Sequence, residues 1–263
     1  VELVRTVQAI RPGGNRSQDR IFLTERAVII LDGATAFTPN KTSAANYVEI
    51  LGVALATGLR THPTADLRDI LGESIAHAAA SLKLSSGQSP SSTVAIVRVV
   101  GRGADVLVLG DSQIVTPSAS YRDDRLDRIA PLWRSNYRSR LAAGGGYDDG
   151  HRAILRELQA EEARWRNIPG GYWIAEADPT AAQHAIVAHL HEVPWLVLST
   201  DGTYRPLQHL GRDNWAEIAR ADDAALSAIL DSLHRWEAEE DPNGRALPRA
   251  KRHDDKALAV VTP

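Results

Sequence analysis

The chain has 263 residues, 43% of them apolar, and a formal net charge of −3. That length allows one sizeable core, and that charge gives no general attraction to nucleic acid. Cysteine is absent, which excludes disulfides, thiolate metal ligands and cysteine nucleophiles. No apolar run approaches the ~20 residues that span a bilayer, and the N-terminus lacks a basic-then-apolar leader pattern, so the expectation is a cytoplasmic protein with no membrane partner. Positions 120–170 hold 10 arginines against 8 acidic residues. The charges nearly cancel locally, so no nucleic-acid partner is expected there either.

Three early segments have strand character: Glu2–Ala9, Arg20–Thr24 and Ala27–Leu31, with Glu25-Arg26 as a hairpin tip. A helix is predicted over Lys41–Arg60, with Thr38 or Asn40 as cap. A second begins near Thr64, with Leu67, Ile70, Leu71, Ile75, Ala78 and Leu82 on one face. Strands resume at Thr93–Val100, Asp105–Leu109 and Gln113–Thr116. Region 117–180 is the least regular. It contains Gly144–Gly146 and a helical stretch, His151–Arg166, in which Glu162 and Arg166 form an i,i+4 pair. Strands return at His184–His191 and Trp195–Thr200, helices at Asn214–Arg220 and Asp222–Glu239, and a last strand at Ala257–Val261. Strands run in succession before and after the helices, so the sheets are expected to be mainly antiparallel. Two packed sheets with helices outside, an α+β architecture in one domain with an insert at 117–180, use these elements best.

The chemistry concentrates at strand ends. Ala27–Leu31 runs into Asp32-Gly33, Trp195–Thr200 into Asp201-Gly202, and Val106–Leu109 into Gly110-Asp111-Ser112. Asp254-Asp255 precedes the closing strand. A single such aspartate is usually a turn former or a helix cap. Several together suit Mg²⁺ or Mn²⁺, which take oxygen ligands and keep part of their water shell. Gly33 permits close backbone approach, so its carbonyl is a further candidate ligand.

Read in order, these segments resemble the metal-dependent type 2C Ser/Thr protein phosphatases. Ser17-Gln-Asp-Arg20, Leu31-Asp-Gly-Ala34, Ser91-Ser-Thr-Val-Ala95, Leu109-Gly-Asp-Ser112, Ser199-Thr-Asp-Gly202 and Asp254–Val261 are each similar to a motif of that family. Only 117–180 is uncovered. The resemblance implies a four-layer α-β-β-α sandwich with two Mn²⁺ or Mg²⁺ ions at one end of its sheets, and a third in many bacterial members. Carried over position by position, Asp32 bridges both ions, Gly33 offers its carbonyl, Asp201 and Asp254 bind one ion, and Asp111 holds the third. Gln18 and Asp19 match positions that orient metal-bound water.

The implied activity is hydrolysis of a phosphate monoester, by default phosphoserine or phosphothreonine in a protein. The alternatives are a small phosphorylated metabolite as substrate, or a non-catalytic regulatory domain. Where the family places its phosphate-binding arginine this chain has Gly14, and Arg16 or Arg11 is expected to substitute. The loop after Asp-Gly reads Ala34-Thr-Ala-Phe37 and offers no histidine. His253, next to Asp254, is the expected general acid in its place. His189-Leu-His-Glu192 has metal-ligand spacing but is expected to be strand surface. Trp165, Trp173 and Trp195 are expected to pack rather than line a pocket.

Overall fold

The computed structural model describes residues 5–14, 17–34 and 42–263. In chain order the strands are β1 (Arg5–Arg11), β2 (Asp19–Leu23), β3 (Ala27–Gly33), β4 (Ser92–Val100) and β5 (Gly103–Leu109). They continue with β6 (Gln113–Val115), β7 (Ser120–Tyr121), β8 (Ile186–Leu190), β9 (Leu196–Ser199) and β10 (Lys256–Thr262). The helices are α1 (Ala44–Thr61), α2 (Leu67–Leu82), α3 (Pro131–Ala142), α4 (Asp149–Arg164), α5 (Asp201–His209), α6 (Trp215–Ile218) and α7 (Asp223–Glu239).

The strands form two five-stranded sheets, ordered β2-β3-β4-β5-β8 and β1-β10-β9-β6-β7. Every pairing is antiparallel. The alternation of side chains along each strand builds the layers. On β3, Ala27, Ile29 and Leu31 face α1 and α2, while Val28 and Ile30 face the other sheet. On β10, Ala257, Ala259 and Val261 face between the sheets, while Leu258 and Val260 meet Leu226, Leu230 and Leu233 of α7. Strands covered on both faces read as unbroken apolar runs, which explains why these segments stand out in the sequence. Each fully buried Ile or Leu contributes ~1.5–3 kcal/mol, so the sheet interiors anchor the strand ends that carry the acids.

Two expectations are corrected. Thr38 and Asn40 lie outside the described residues, and α1 is capped instead by Ser43, whose Oγ accepts from the Asn46 N–H at 3.2 Å. In region 117–180, the Glu162 carboxylate pairs with Arg134 of α3 at 2.6 Å, across helices, while Arg166 donates to the Tyr172 hydroxyl at 3.3 Å. α3 and α4 share a small core of their own, with Tyr137, Leu141, Leu155 and Leu158 buried in it. His189 does lie on strand surface, its Nδ1 at 2.5 Å from Asp105 Oδ1. Trp173 packs in the core beneath α1 and α2, stacked on His184, and Trp195 packs beside α7. Trp165 is 40% exposed.

Candidate metal centre

Both sheets deliver carboxylates to the same end of the sandwich. Asp32, near the end of β3, lies in register between Asp19 on β2 and Thr93 on β4. Asp201 opens α5 two residues after β9, and Asp254 stands two residues before β10. Asp111 occupies the turn by which the chain leaves β5 in one sheet for β6 in the other. Gly110, at φ +85°, makes that turn, and a Cβ there would meet Thr93 Cγ2 at 2.9 Å.

Thr200 joins the two halves of the site. Its Oγ1 donates to Asp19 Oδ2 at 2.8 Å and accepts from the Ala257 N–H at 3.0 Å. Asp255 fastens the loop before β2: its Oδ1 accepts from the Gly13 N–H and its Oδ2 from the Gln18 N–H, both at 2.7 Å. The Gln18 carbonyl in turn accepts from the Gly33 N–H at 3.3 Å. Gly13 and Gly202 allow this packing, since a Cβ would lie 2.5 Å from the His253 carbonyl oxygen and 2.0 Å from the Asp255 carbonyl oxygen respectively.

The electrostatics follow from the crowding. Burial, then repulsion from Asp254, Asp255 and Asp201, pushes the Asp19 carboxyl up to about 8 despite its hydrogen bond from Thr200. Burial and the Asp111 charge push Asp201 up to about 7. Asp32 is raised well above the usual carboxylate range by burial and by its four acidic neighbours. Asp254 is lowered: burial opposes its charge, but Lys251, whose Nζ sits 2.5 Å from Asp254 Oδ1, outweighs it. Asp19 Oδ1 is buried and has no hydrogen-bond partner among the described residues. A centre where buried carboxylates crowd one another and one carboxylate oxygen is left unbonded fits divalent cations bound through oxygen.

The expected site residues divide as follows. Asp19, Asp32, Gly33, Asp111, Asp201 and Asp254 converge on one end of the sandwich, with Gln18 fastened beside them. Arg16 lies outside the described residues. Arg11 pairs with Asp231 of α7 at 3.1 Å, away from the acids.

His253 is corrected as general acid. Its Nδ1 faces Glu237 Oε2 at 3.0 Å and its ring stacks on His234, so it is not among the residues lining the cavity. Burial, with Lys256 and Arg252 next, pushes its pKa down to about 4. His234, Glu237 and His253 bring ligand atoms within 4.8 Å of one another. The fully buried Lys256 ammonium already holds that carboxylate at 2.8 Å, which opposes a cation there.

Above the acids lies a cavity of about 620 Å³, walled by α3, α4 and the loop before β10. Arg134, Arg138, Arg205, Arg249 and Lys251 all line it, opposite Asp32, Asp111, Asp201 and Asp254. Sequence reasoning missed Arg205 and Lys251. The i,i+4 spacing of Asp201 and Arg205 carries meaning only once α5 is known, and Lys251 reaches Asp254 from a loop, so neither left a signal in the sequence.

No family model matches the chain, and no curated protein matches it. Solved structures do. PppA, described as a key regulatory component of T6SS in Pseudomonas aeruginosa, superposes with TM-score 0.54 at 16% identity, covering 100% of this chain and 98% of that one. The catalytic domain of the serine threonine protein phosphatase PstP, in complex with 2 manganese ions, gives 0.54 at 14% identity over 98% of this chain and 97% of that one. A serine/threonine phosphatase from Staphylococcus aureus gives 0.54 at 13% identity over 99% and 94%. The chain has the α-β-β-α sandwich fold of the type 2C Ser/Thr phosphatases.

Proposed function

We propose that this chain is a metal-dependent phosphoric monoester hydrolase, with phosphoserine or phosphothreonine of a protein as its default substrate. One observation carries the reading: carboxylates from two sheets converge beneath a cation-lined cavity, with Asp19, Asp32 and Asp201 all raised by burial and mutual repulsion. Asp32, the Gly33 carbonyl, Asp201 and Asp254 are the residues that would hold two Mn²⁺ or Mg²⁺ ions. Bound there, the ions would supply a low-pKa water and neutralise charge developing on the phosphoryl group.

The protein's own contribution is positional. Thr200 and Asp255 lock the strand ends against the loop before β2, which fixes the backbone that carries the carboxylates. Arg138, which forms no ion pair among the described residues, presents positive charge on the cavity wall for phosphate oxygens, whereas Arg249 is held by Asp241. The walls contributed by α3 and α4 also suit a small phosphorylated molecule.

A second reading is a non-catalytic domain that binds a phosphorylated partner. Lys251 favours it, because its ammonium competes with any cation for Asp254 Oδ1. The assay that separates these is hydrolysis of an aryl phosphate with added Mn²⁺, parent against Asp32→Asn. Turnover that falls more than ~100-fold in Asp32→Asn is expected, since outer partners of metal sites already cost 10–100-fold. Folded, Mn²⁺-bound protein without turnover on a phosphopeptide or an aryl phosphate would favour the binding domain.

A further inference from the structure

Asp111, Asp127 and Asp201 meet a cation that belongs to the chain itself. Arg205, one turn along α5 from Asp201, places Nη2 at 3.0 Å from Asp111 Oδ2 and 3.3 Å from Asp127 Oδ1, and Nε at 3.2 Å from Asp201 Oδ2. We propose that the Arg205 guanidinium occupies the place where the fold family puts a third metal ion, so that this centre takes two divalent ions and Asp111 is not a metal ligand. The inference rests on the metal-centre reading above.

Three features argue for it. First, the guanidinium is held on several sides. The Tyr204 ring lies beneath it, 5.7 Å from centroid to Cζ, and the Tyr204 hydroxyl donates to the Asp111 carbonyl at 3.0 Å. Arg122 braces the same assembly by donating to Tyr204 Oη at 3.2 Å and to Asp127 Oδ2 at 3.0 Å. Second, one guanidinium already answers three carboxylates, Asp111, Asp127 and Asp201. A planar fork matches carboxylate geometry, and an ion bound at Asp111 would have to break three carboxylate contacts or sit beside a fixed positive charge. Burial opposes the Arg205 charge, but Asp201, Tyr204, Asp111 and Asp127 together hold it firmly protonated.

Third, the remaining acids are different. Among the described residues Asp19 and Asp32 take part in no ion pair, and Asp19 Oδ1 has no hydrogen-bond partner. Carboxylates crowd that side of Asp201, while its other side already meets Arg205. Lys251 differs from Arg205 in that it reaches Asp254 Oδ1 at 2.5 Å from the loop before β10, whereas Arg205 bridges Asp111, Asp127 and Asp201.

The test counts ions. The full chain, saturated with Mn²⁺, is weighed by native mass spectrometry and titrated by calorimetry beside Asp32→Asn, Asp111→Asn, Arg205→Ala and the Arg205→Ala/Asp111→Asn pair. The expected result is two ions on the parent, unchanged in Asp111→Asn and lost in Asp32→Asn. Arg205→Ala gains one weaker ion, and adding Asp111→Asn removes it again. A third ion on the parent that disappears in Asp111→Asn overturns the proposal while leaving the metal-centre reading intact. A parent that binds no ion overturns both. The comparison of parent with Asp111→Asn keeps its force if Arg205→Ala fails to fold, and circular dichroism of each variant settles that point.

Discussion

Gly202 shows how tightly single residues are constrained here. It follows Asp201 in the first turn of α5, and its Cα hydrogen side faces the Asp255 carbonyl, which a methyl group would approach to 2.0 Å. Gly202→Ala must therefore push α5 away from the loop that carries Asp254 and Asp255. Overpacking of this kind costs ~1–3 kcal/mol, and urea unfolding should register that loss. The same variant should bind Mn²⁺ more weakly, because Asp201 and Asp254 separate when the helix moves. An unchanged urea midpoint would mean that the loop before β10 yields freely.

At the scale of elements, α3 and α4 hold together by one ion pair as much as by their small core. Arg134 and Glu162 are 11% and 16% exposed, and Arg134 also donates to the Ile129 carbonyl at 2.9 Å. Burial raises the Glu162 carboxyl despite Arg134. Arg134→Ala strands a nearly buried carboxylate, a change that costs ~3–5 kcal/mol in comparable pairs, whereas joint replacement by Met and Leu should cost far less. Hydrogen exchange should show the single variant losing protection across α3 and α4, with the sheets unaffected. Protection lost equally in the sheets would mean that this unit does not open by itself.

The elements also differ in how plainly the sequence announced them. β3, β4 and β10 are covered on both faces, so their apolar runs were conspicuous. α3 buries only Tyr137 and Leu141, begins at Ala130 without a side-chain cap, and left no readable stripe. α5 was hidden by Pro206 in its interior, and with it Arg205. The acids at the strand tips could be read because each ends an apolar run. The cations opposite them could not, because only the folded loops and helices bring them near.

For the whole molecule, the crowded acids make stability depend on pH. The unfolded Asp19 carboxyl titrates near 3.8 and the folded one near about 8, so between those values the folded state holds a proton that the unfolded state has released. The unfolding free energy of the metal-free protein then falls as pH rises through that window, and Asp201, at about 7, adds to the fall. Thermal melts in EDTA at about pH 5.5 and about pH 8 should show a lower Tm at the higher pH. The difference should shrink in Asp19→Asn, and Mn²⁺ should restore stability most at the alkaline end, by mass action on the folded state. An identical pH slope in Asp19→Asn would remove Asp19 as the source.

The position of β10 has a consequence for synthesis. It is the last strand of the sequence, yet it sits between β1 and β9, pairing Arg5 with Thr262 and Leu258 with Ser199. A growing chain that has not released β10 lacks both the centre of one sheet and Asp254. Its two outer neighbours have nothing to pair with across the gap, and long-range pairing of this kind is slow. The nascent chain therefore carries Asp32, Asp111 and Asp201 through the ribosome before they share a cage. The acidic cluster is therefore complete only once β10 has paired between β1 and β9.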